Sequence, residues 1–421
     1  MEGSELRILF PFEPGGDFDL AERFRFWDSP TTIQWFRERG YTYTSRISDP
    51  DPRPTTPEPF GELYEAGYPY AYYDSSGDVP LGALDMSGKV VFAQDSGGRH
   101  VAMKLVRDGT DEYRVLRFLS QQSLETLKAN CILPVLDLIP IDGFWFVVMP
   151  RWGSDIHLPW INNAGDVVDI IYSMLKALAF LHDHNISHGD LNMENVLVNH
   201  FSDYSLLEDN QFRADLRSKK MLSYAIFDFD FSTMLAPEAD KKKCRLPYRR
   251  SWGTFNFTND TTQGEFDFNP FVLDIGALGV RLCWAYQHMT GEIPLLAPLL
   301  DRMTTRDLQR RFTASEALGF FEDMYSQMTQ TELARWVDSR GRGGLPYDQY
   351  DRWQRVPADF AKQWAIYKEP PIPWTTKVLR AICGIPWICH VVPWFRWFFF
   401  KLSSSPGRLY IYIVGLNLNR R

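Results

Sequence analysis

Cysteine is scarce and scattered in this sequence. The 421 residues include five cysteines, and no two of them form a Cys-x-x-Cys pair. An odd number without paired spacing gives poor support to a disulfide framework or a structural zinc site, so we expect a reducing, cytoplasmic setting. The first residues also lack a basic start followed by an apolar run, and no secretory signal is expected.

Acidic residues are absent from the C-terminal segment. From Pro370 onward seven Lys and Arg residues contribute +7, so the preceding chain carries −15 and the whole chain −8. This acidic balance speaks against nucleic acid as a partner. Ala381 to Phe395 contains no charged residue, but it is shorter than the ~20 residues that span a bilayer.

Segment 374–401 combines basic residues with tryptophan and phenylalanine. Two interpretations stay open for it. The segment could pack onto the acidic body of this chain or onto a partner protein. It could instead lie in a membrane interface with its tryptophans at headgroup level, which would make the protein membrane-associated.

Apolar and charged residues are present in ordinary globular proportions, at 45% and 23%. A chain of this length is long for one compact domain and fits a two-lobed enzyme with extensions. Ser29-Pro30, followed by Thr31 to Arg39 and Gly40, predicts a short helix in an N-terminal extension. The five prolines within Ser48 to Pro59 then predict an extended linker.

A loop pattern stands out near the middle of the chain. A long apolar helix predicted over Val167 to His182 leads into it, and strand-like Val196–Val198 follows. Alternatively, its Asp and Asn only shape the turns of a surface loop. The pattern reads Leu181-His182-x-x-x-Ile186-x-His188-x-Asp190, with Asn195 five residues further on.

Other candidate residues occur in order around this loop. Lys104 ends a predicted strand that starts at His100, and Glu112 opens a helical pattern eight residues later. A lysine at this place could also be only a solvated strand end. Further along, Asp228 follows the apolar run Ala225-Ile226-Phe227, Asp274 lies on an apolar helix, and Arg311 precedes Phe312-Thr313-Ala314.

Together these motifs resemble the protein kinase superfamily, in its serine/threonine branch, over roughly Gly82 to Leu318. The resemblance implies an α+β, two-lobed fold with a small, mainly β N-lobe carrying one C-helix, and a larger, mainly α C-lobe. The expected organisation is an N-terminal extension with a Pro-rich linker (1–75), an N-lobe (76–150), a C-lobe (151–337) with an insertion (199–222), and a basic aromatic tail (338–421).

The resemblance also implies a role for each motif. Asp190 would accept the substrate hydroxyl proton, and Asn195 and Asp228 would hold Mg²⁺. Lys104, held by Glu112, would position ATP and contribute to catalysis together with Asp190 and Asn195. The remaining nucleotide contacts are expected at Gly88, Val90, Ala102, Met149 and Arg151.

Several positions depart from the family pattern. Ala83 and Asp85 stand where the phosphate loop usually has glycine, and Asp230 stands where Asp-Phe-Gly usually ends, although Asp230 could itself be the metal ligand in a shifted register. Gly189 and Asn192 replace two basic residues that usually flank the catalytic aspartate. An acidic residue near phosphates is unfavourable by Coulomb's law, so weak or unusual ATP binding is expected.

The end of the activation segment is also irregular. Ala236-Pro237-Glu238 comes too soon after Asp228 to be this end, and Gly253-Thr254 fits better. The Ala-Pro-Glu place would then fall near Asn259-Asp260-Thr261. That assignment leaves the usual glutamate partner of Arg311 missing.

Three functions are consistent with these motifs. We favour a protein kinase that uses ATP and Mg²⁺ to phosphorylate Ser or Thr of a protein substrate. An ATP-binding or inactive pseudokinase scaffold is the first alternative, because of the irregular phosphate loop. A small-molecule hydroxyl kinase is the second, because His188-Gly189-Asp190 resembles aminoglycoside and choline phosphotransferases.

Overall fold

A computed structural model describes the chain in ten ranges. They are residues 6–10, 12, 20–43, 67–74, 87–202, 207–251, 258, 260, 267–340 and 346–383. The Pro-rich segment 48–59, Gly253-Thr254 and the tail beyond 383 lie outside them. Two compact units are formed, one by residues 1–160 with 193–234 and the other by 161–192 with 235–421. The domain boundaries expected from the sequence stay predictions.

Helices and strands alternate in the N-terminal part, and helices dominate later. The helices are α1 (Leu20–Trp27), α2 (Pro30–Arg37), α3 (Asp111–Ser120), α4 (Leu124–Ala129), α5 (Ala164–Asp183), α6 (Gln211–Ser218), α7 (Pro270–Tyr286), α8 (Leu296–Thr304), α9 (Ala314–Ser326), α10 (Gln330–Leu333), α11 (Ala358–Gln363) and α12 (Trp374–Cys383). Within the described ranges, none of them is long and apolar enough to cross a bilayer.

Most strands belong to the first unit. They are β1 (Thr42–Tyr43), β2 (Tyr72–Asp74), β3 (Val90–Gln94), β4 (His100–Arg107), β5 (Asp137–Ile141), β6 (Phe144–Pro150), β7 (Ile186–Ser187), β8 (Val196–Val198), β9 (His200–Ser202), β10 (Tyr224–Ile226), β11 (Thr233–Met234), β12 (Leu246–Pro247) and β13 (Asp267–Phe268). Five of them form an antiparallel sheet in the order β1-β3-β4-β6-β5.

The register of this sheet determines which residues lie on each of its two faces. Val90 pairs with Lys104, and Ala102 pairs with both Phe92 and Met149. Because directly paired residues of antiparallel strands project to the same side, these five side chains share one face. The opposite face is apolar and is packed into a buried core, with Val91, Ala93, Val101, Met103, Leu105, Phe146 and Val148.

Helices α1 and α2 cover that apolar face. Trp27 and Phe36 are fully buried in the same core, and β1 adds an edge strand beside β3. The helix expected from Ser29-Pro30 is observed, since the Ser29 side chain accepts from Thr32 N at 3.1 Å. The sequence suggests an extension outside the catalytic core. In the structure its described part belongs to the core of the sheet, because the rings of Trp27 and Phe36 lie 5.6 Å and 4.7 Å from the ring of Phe146 in β6.

The region expected as an insertion over 199–222 contains ordered elements in its described part. Strand β9 pairs in parallel with β2, and α6 follows. Arg213 of α6 is buried and donates to the carbonyls of Ser154, Asp155 and His200, each at 3.1 Å. The insertion therefore holds the chain segment that follows β6.

The second unit is mainly helical. Helix α5 packs against α9, and α7 packs against α8. Helix α9 begins with a capping box, in which Thr313 and Glu316 each satisfy the other's backbone N–H. The predicted α+β class, with a mainly β N-terminal region and a helical C-terminal part, is confirmed.

Candidate active site

Lys104 lies at the centre of an acidic cluster in the first unit. Its Nζ atom is 2.7 Å from Glu112 Oε1 and 2.7 Å from Asp228 Oδ1, and it also contacts Asp230 Oδ1. Glu112 reaches this place because Thr110 caps α3, so that the helix begins beside the end of β4. The structure thus brings together Lys104, Glu112 and Asp228, which the sequence singles out separately.

The charges of this cluster shift several pKa values. Burial lowers the pKa of Lys104, but Glu112, Asp228 and Asp230 together raise it well above its ordinary value. Burial and the nearby Asp230 raise the pKa of Glu112 to about 8, although Lys104 opposes the shift. For Asp230 burial also acts upward, but Lys104 and Lys89 hold its pKa below the ordinary range. Lys104 is therefore charged, and Glu112 is protonated more easily than Asp230.

The cluster fits a divalent cation in the type and spacing of its ligands. Glu112, Asp228 and Asp230 each offer a carboxylate oxygen, and these atoms lie within 4.8 Å of one another. Mg²⁺ prefers such oxygen ligands. Asp228 adopts a left-handed backbone with a φ of 65°, two residues after the end of the buried strand β10. The sequence leaves open whether Asp228 or Asp230 is the metal ligand, and in the structure both carboxylates contact Lys104.

Asn195 lies in the same unit as Asp228. It is buried at the end of a short 3₁₀ turn, and its carbonyl oxygen accepts from Phe227 N at 3.2 Å. Strands β8 and β10, which follow Asn195 and precede Asp228, pair antiparallel. The two predicted metal ligands are therefore carried by one paired segment.

The loop that carries Asp190 belongs to the second unit and is fixed by Asp274 of α7. Asp274 accepts from His188 N at 2.8 Å and from Gly189 N at 2.9 Å, and His182 Nε2 lies 3.0 Å from it. Gly189 has a φ of 80°, which suits a residue without a Cβ. A buried carboxylate thus holds the backbone immediately before Asp190.

Asp190 itself is half-buried. Its backbone N–H donates to His188 Nδ1 at 3.3 Å, and its Oδ1 accepts from Asn192 Nδ2 at 3.3 Å. Asn192 stands where the family pattern has a lysine, and its neutral amide adds no positive charge beside Asp190.

The nucleotide-contact residues expected from the sequence share one sheet face. Val90, Ala102 and Met149 lie on the face of Lys104, opposite the core under α1 and α2. Gly88 takes a φ of 66°, and its carbonyl accepts from Trp27 Nε1 at 2.9 Å. Ala83 and Asp85 lie outside the described residues.

The Arg151 side chain, an expected nucleotide contact, is largely buried. Its guanidinium carbon lies 4.2 Å from the ring centre of Phe92 and 4.9 Å from that of Phe201. Its backbone N–H donates to His100 O at 3.1 Å. An adenine contact through Arg151 would therefore have to use another atom than this N–H.

The structure supplies the partner of Arg311 that the motifs leave unnamed. Arg311 Nη1 donates to Asp260 Oδ1 at 2.8 Å and Oδ2 at 2.6 Å, and both side chains are almost fully buried. Asp260 lies where the degenerate Ala-Pro-Glu was expected. The position of Asp260 in the sequence indicates that it could pair with Arg311. The pair is hard to predict because an aspartate stands where the family pattern has a glutamate. The Ala236 and Pro237 carbonyls accept from Asn185 instead.

No family model matches the chain. It is 25% identical over 217 residues to the CTD kinase subunit alpha of Schizosaccharomyces pombe, covering 48% of this chain and 35% of that protein. It is 27% identical over 163 residues to the dual specificity protein kinase CLK2 of Mus musculus, covering 35% and 32%. It is 23% identical over 323 residues to mitogen-activated protein kinase 12 of Homo sapiens, covering 64% and 83%.

The relatives named above are protein kinases, the class that the motifs around Lys104 and Asp190 indicate. Similarity to several protein kinases at modest identity supports membership of the protein kinase superfamily. It spans about a third of the length of the first two relatives named. The activity of those proteins is therefore only proposed for this chain.

Proposed function

We propose that the chain is a protein kinase that transfers the γ-phosphoryl group of ATP to a Ser or Thr hydroxyl of a protein. The observation that carries the proposal is the buried contact of Lys104 with both Glu112 and Asp228, at 2.7 Å each. A lysine held by a helix glutamate beside an acidic metal ligand is the arrangement that positions ATP phosphates in phosphoryl transfer.

Each residue has a separate task in this proposal. Lys104 binds the α/β-phosphates and is kept extended by Glu112. Asp228 and Asn195 hold Mg²⁺, which when bound neutralises charge on the phosphates. Asp190 accepts the proton of the substrate hydroxyl and orients its oxygen. Asp274 keeps the backbone before Asp190 in place through two N–H groups.

The neighbouring charges suggest a slow enzyme. Gly189 and Asn192 supply no positive charge beside Asp190, and Asp230 adds a carboxylate next to Lys104. This extra carboxylate favours an ATP-binding pseudokinase as the second candidate. Proteins are the substrate class we propose, because the relatives named above are protein kinases. The cytoplasmic location expected from the cysteines stays a prediction.

Nucleotide binding is the first test. Calorimetry with Mg·ATP should detect binding to the wild-type chain, and Lys104→Ala and Asp228→Ala should each weaken it at least about tenfold, because each removes a charged group from the phosphate site. The exposed Lys219→Ala provides a matched control and should bind like the wild type. Absence of binding by the wild type would refute the kinase proposal and select a scaffold that does not bind ATP.

Phosphoryl transfer is the second test. Incubation with radiolabelled ATP and a peptide library should label Ser or Thr, and Asp190→Asn should abolish the labelling, while Asp359→Asn on an exposed helix position should not. Binding without any transfer would select the pseudokinase. Label on hydroxylated metabolites, but never on peptides, would select the small-molecule kinase.

A further inference from the structure

Lys89 is a second lysine at the acidic cluster that the proposed mechanism does not use. It directly follows Gly88 and precedes β3, and its side chain is 15% exposed. Its Nζ atom lies 4.7 Å from the ring centre of Phe12 and 3.5 Å from Asp230 Oδ2. The ammonium group is thus held between an aromatic face and a carboxylate.

Asp230 is shared by two lysines. Its Oδ2 faces Lys89, and its Oδ1 contacts Lys104. A single carboxylate therefore bridges the ammonium group after the predicted phosphate loop and the ammonium group predicted to bind phosphates. A phosphate group is likewise a compact anion with several acceptor oxygens, and it can be bridged by two ammonium groups in the same way.

The charges of the cluster indicate that a bound nucleotide needs the positive charge of Lys89. Asp228 and Asp230 contact Lys104, and Asp230 also contacts Lys89, so both lysines are already paired with carboxylates of the protein. The phosphates of a nucleotide would add further negative charge, whereas Gly189 and Asn192 contribute none of the usual compensation. Like charges this close are strongly unfavourable without nearby cations.

We propose that Lys89 is a second phosphate-binding lysine, which Asp230 holds beside Lys104 until a nucleotide phosphate takes over the contact. The proposal rests on the proposed ATP binding and deepens it. Asp230 then has two effects: it orients Lys89 in the free protein, and it competes with the phosphates for both lysines. Phe12 limits the positions that the Lys89 side chain can adopt, so that little ordering is left for the nucleotide to impose.

The test compares ligands that differ only in their phosphates. Calorimetry on the full chain at fixed Mg²⁺ uses adenosine, ADP and ATP, with Lys89→Met to keep the stem of the side chain and remove its charge. We expect Lys89→Met to weaken ATP by about 10- to 100-fold, the loss typical of a charge-assisted hydrogen bond. Adenosine should bind within about twofold of wild type, and the exposed Lys219→Met should change neither ligand.

A second background separates phosphate binding from simple neutralisation of Asp230. In Asp230→Asn, adding Lys89→Met should again weaken ATP by about 10-fold or more if Lys89 touches phosphate. The inference is overturned if Lys89→Met has no effect in that background, or if it weakens adenosine and ATP equally. A wild-type chain that binds no ATP overturns the proposed function, and this inference with it.

Discussion

Replacing Arg311 by leucine removes the cation of a buried ion pair in the second unit. The side chains of Arg311 and Asp260 are 1% and 2% exposed. Both Asp260 oxygens accept from Arg311 Nη1, which also donates to Val272 O at 3.0 Å. Leucine leaves the Asp260 carboxylate buried without the counter-charge of Arg311, and a leucine side chain has no hydrogen-bond donor.

The magnitude follows from that uncompensated charge. Breaking a buried pair by removing one partner costs about 3–5 kcal/mol. For a unit of roughly 200 residues, where 1 kcal/mol shifts Tm by about 2–4 °C, this predicts a decrease of roughly 6–20 °C. Differential scanning fluorimetry and calorimetry on the full chain measure the shift, with the transition of the second unit identified by hydrogen exchange of α7 and α9.

Two further variants make this prediction specific. Arg310→Leu removes the neighbouring exposed arginine and should change Tm by less than about 2 °C. The double variant Arg311→Leu/Asp260→Leu removes both charges and should recover at least half of the loss, because apolar replacement of a whole buried pair is often tolerated. An Arg311→Leu shift as small as that of Arg310→Leu would refute the reasoning, as would a double variant less stable than Arg311→Leu.

Three other perturbations test different parts of the structure. Burial and a nearby arginine lower the pKa of His100 to about 4. The unfolded chain therefore binds more protons at His100 below pH 6.5, and this residue alone should lower stability by about 2 kcal/mol between pH 7 and pH 5. Urea titrations should show that the stability difference between the wild type and His100→Gln changes by this amount over that range. In Asp274→Asn, the new amide N–H points at a backbone N–H of the loop, so one hydrogen bond that fixes the backbone before Asp190 is lost. Phosphorylation kinetics should therefore show a kcat lower by about 10- to 100-fold at similar nucleotide KM. A Cβ at Gly153 would press on the His200 carbonyl, whereas one at Gly319 meets nothing. Gly153→Ala should therefore lower Tm by several degrees, and Gly319→Ala should raise it slightly or leave it unchanged.

Local patterns predict a large part of the candidate site. Lys104 and Glu112 are eight residues apart, and a strand followed by a capped helix fixes where each begins. The loop before Asp190 is similarly set by Gly189, whose backbone needs a left-handed φ. These features depend on short segments, so that residue type and spacing carry enough information to place them.

Long-range contacts account for most of what the sequence does not reveal. Asp260 and Arg311 are 51 positions apart, and no helical or strand periodicity links them. Lys89 and Asp230 are still farther apart in the sequence, and only the folded chain brings the Lys89 ammonium group to the Asp230 carboxylate. The polar region containing α6 shows no clear pattern either, because Arg213 is buried by binding carbonyl groups and not by apolar packing.

The cover that α1 and α2 place over the five-stranded sheet has a practical consequence. A chain truncated to begin at residue 76, where the sequence predicts the N-lobe to start, would lose Trp27, Phe36 and β1. The apolar face of β3, β4 and β6 would then meet water, and β3 would become an unprotected edge ready to pair with other chains. Such a shortened protein should accumulate as insoluble aggregates during expression, whereas a chain that keeps the first 43 residues with the rest should not.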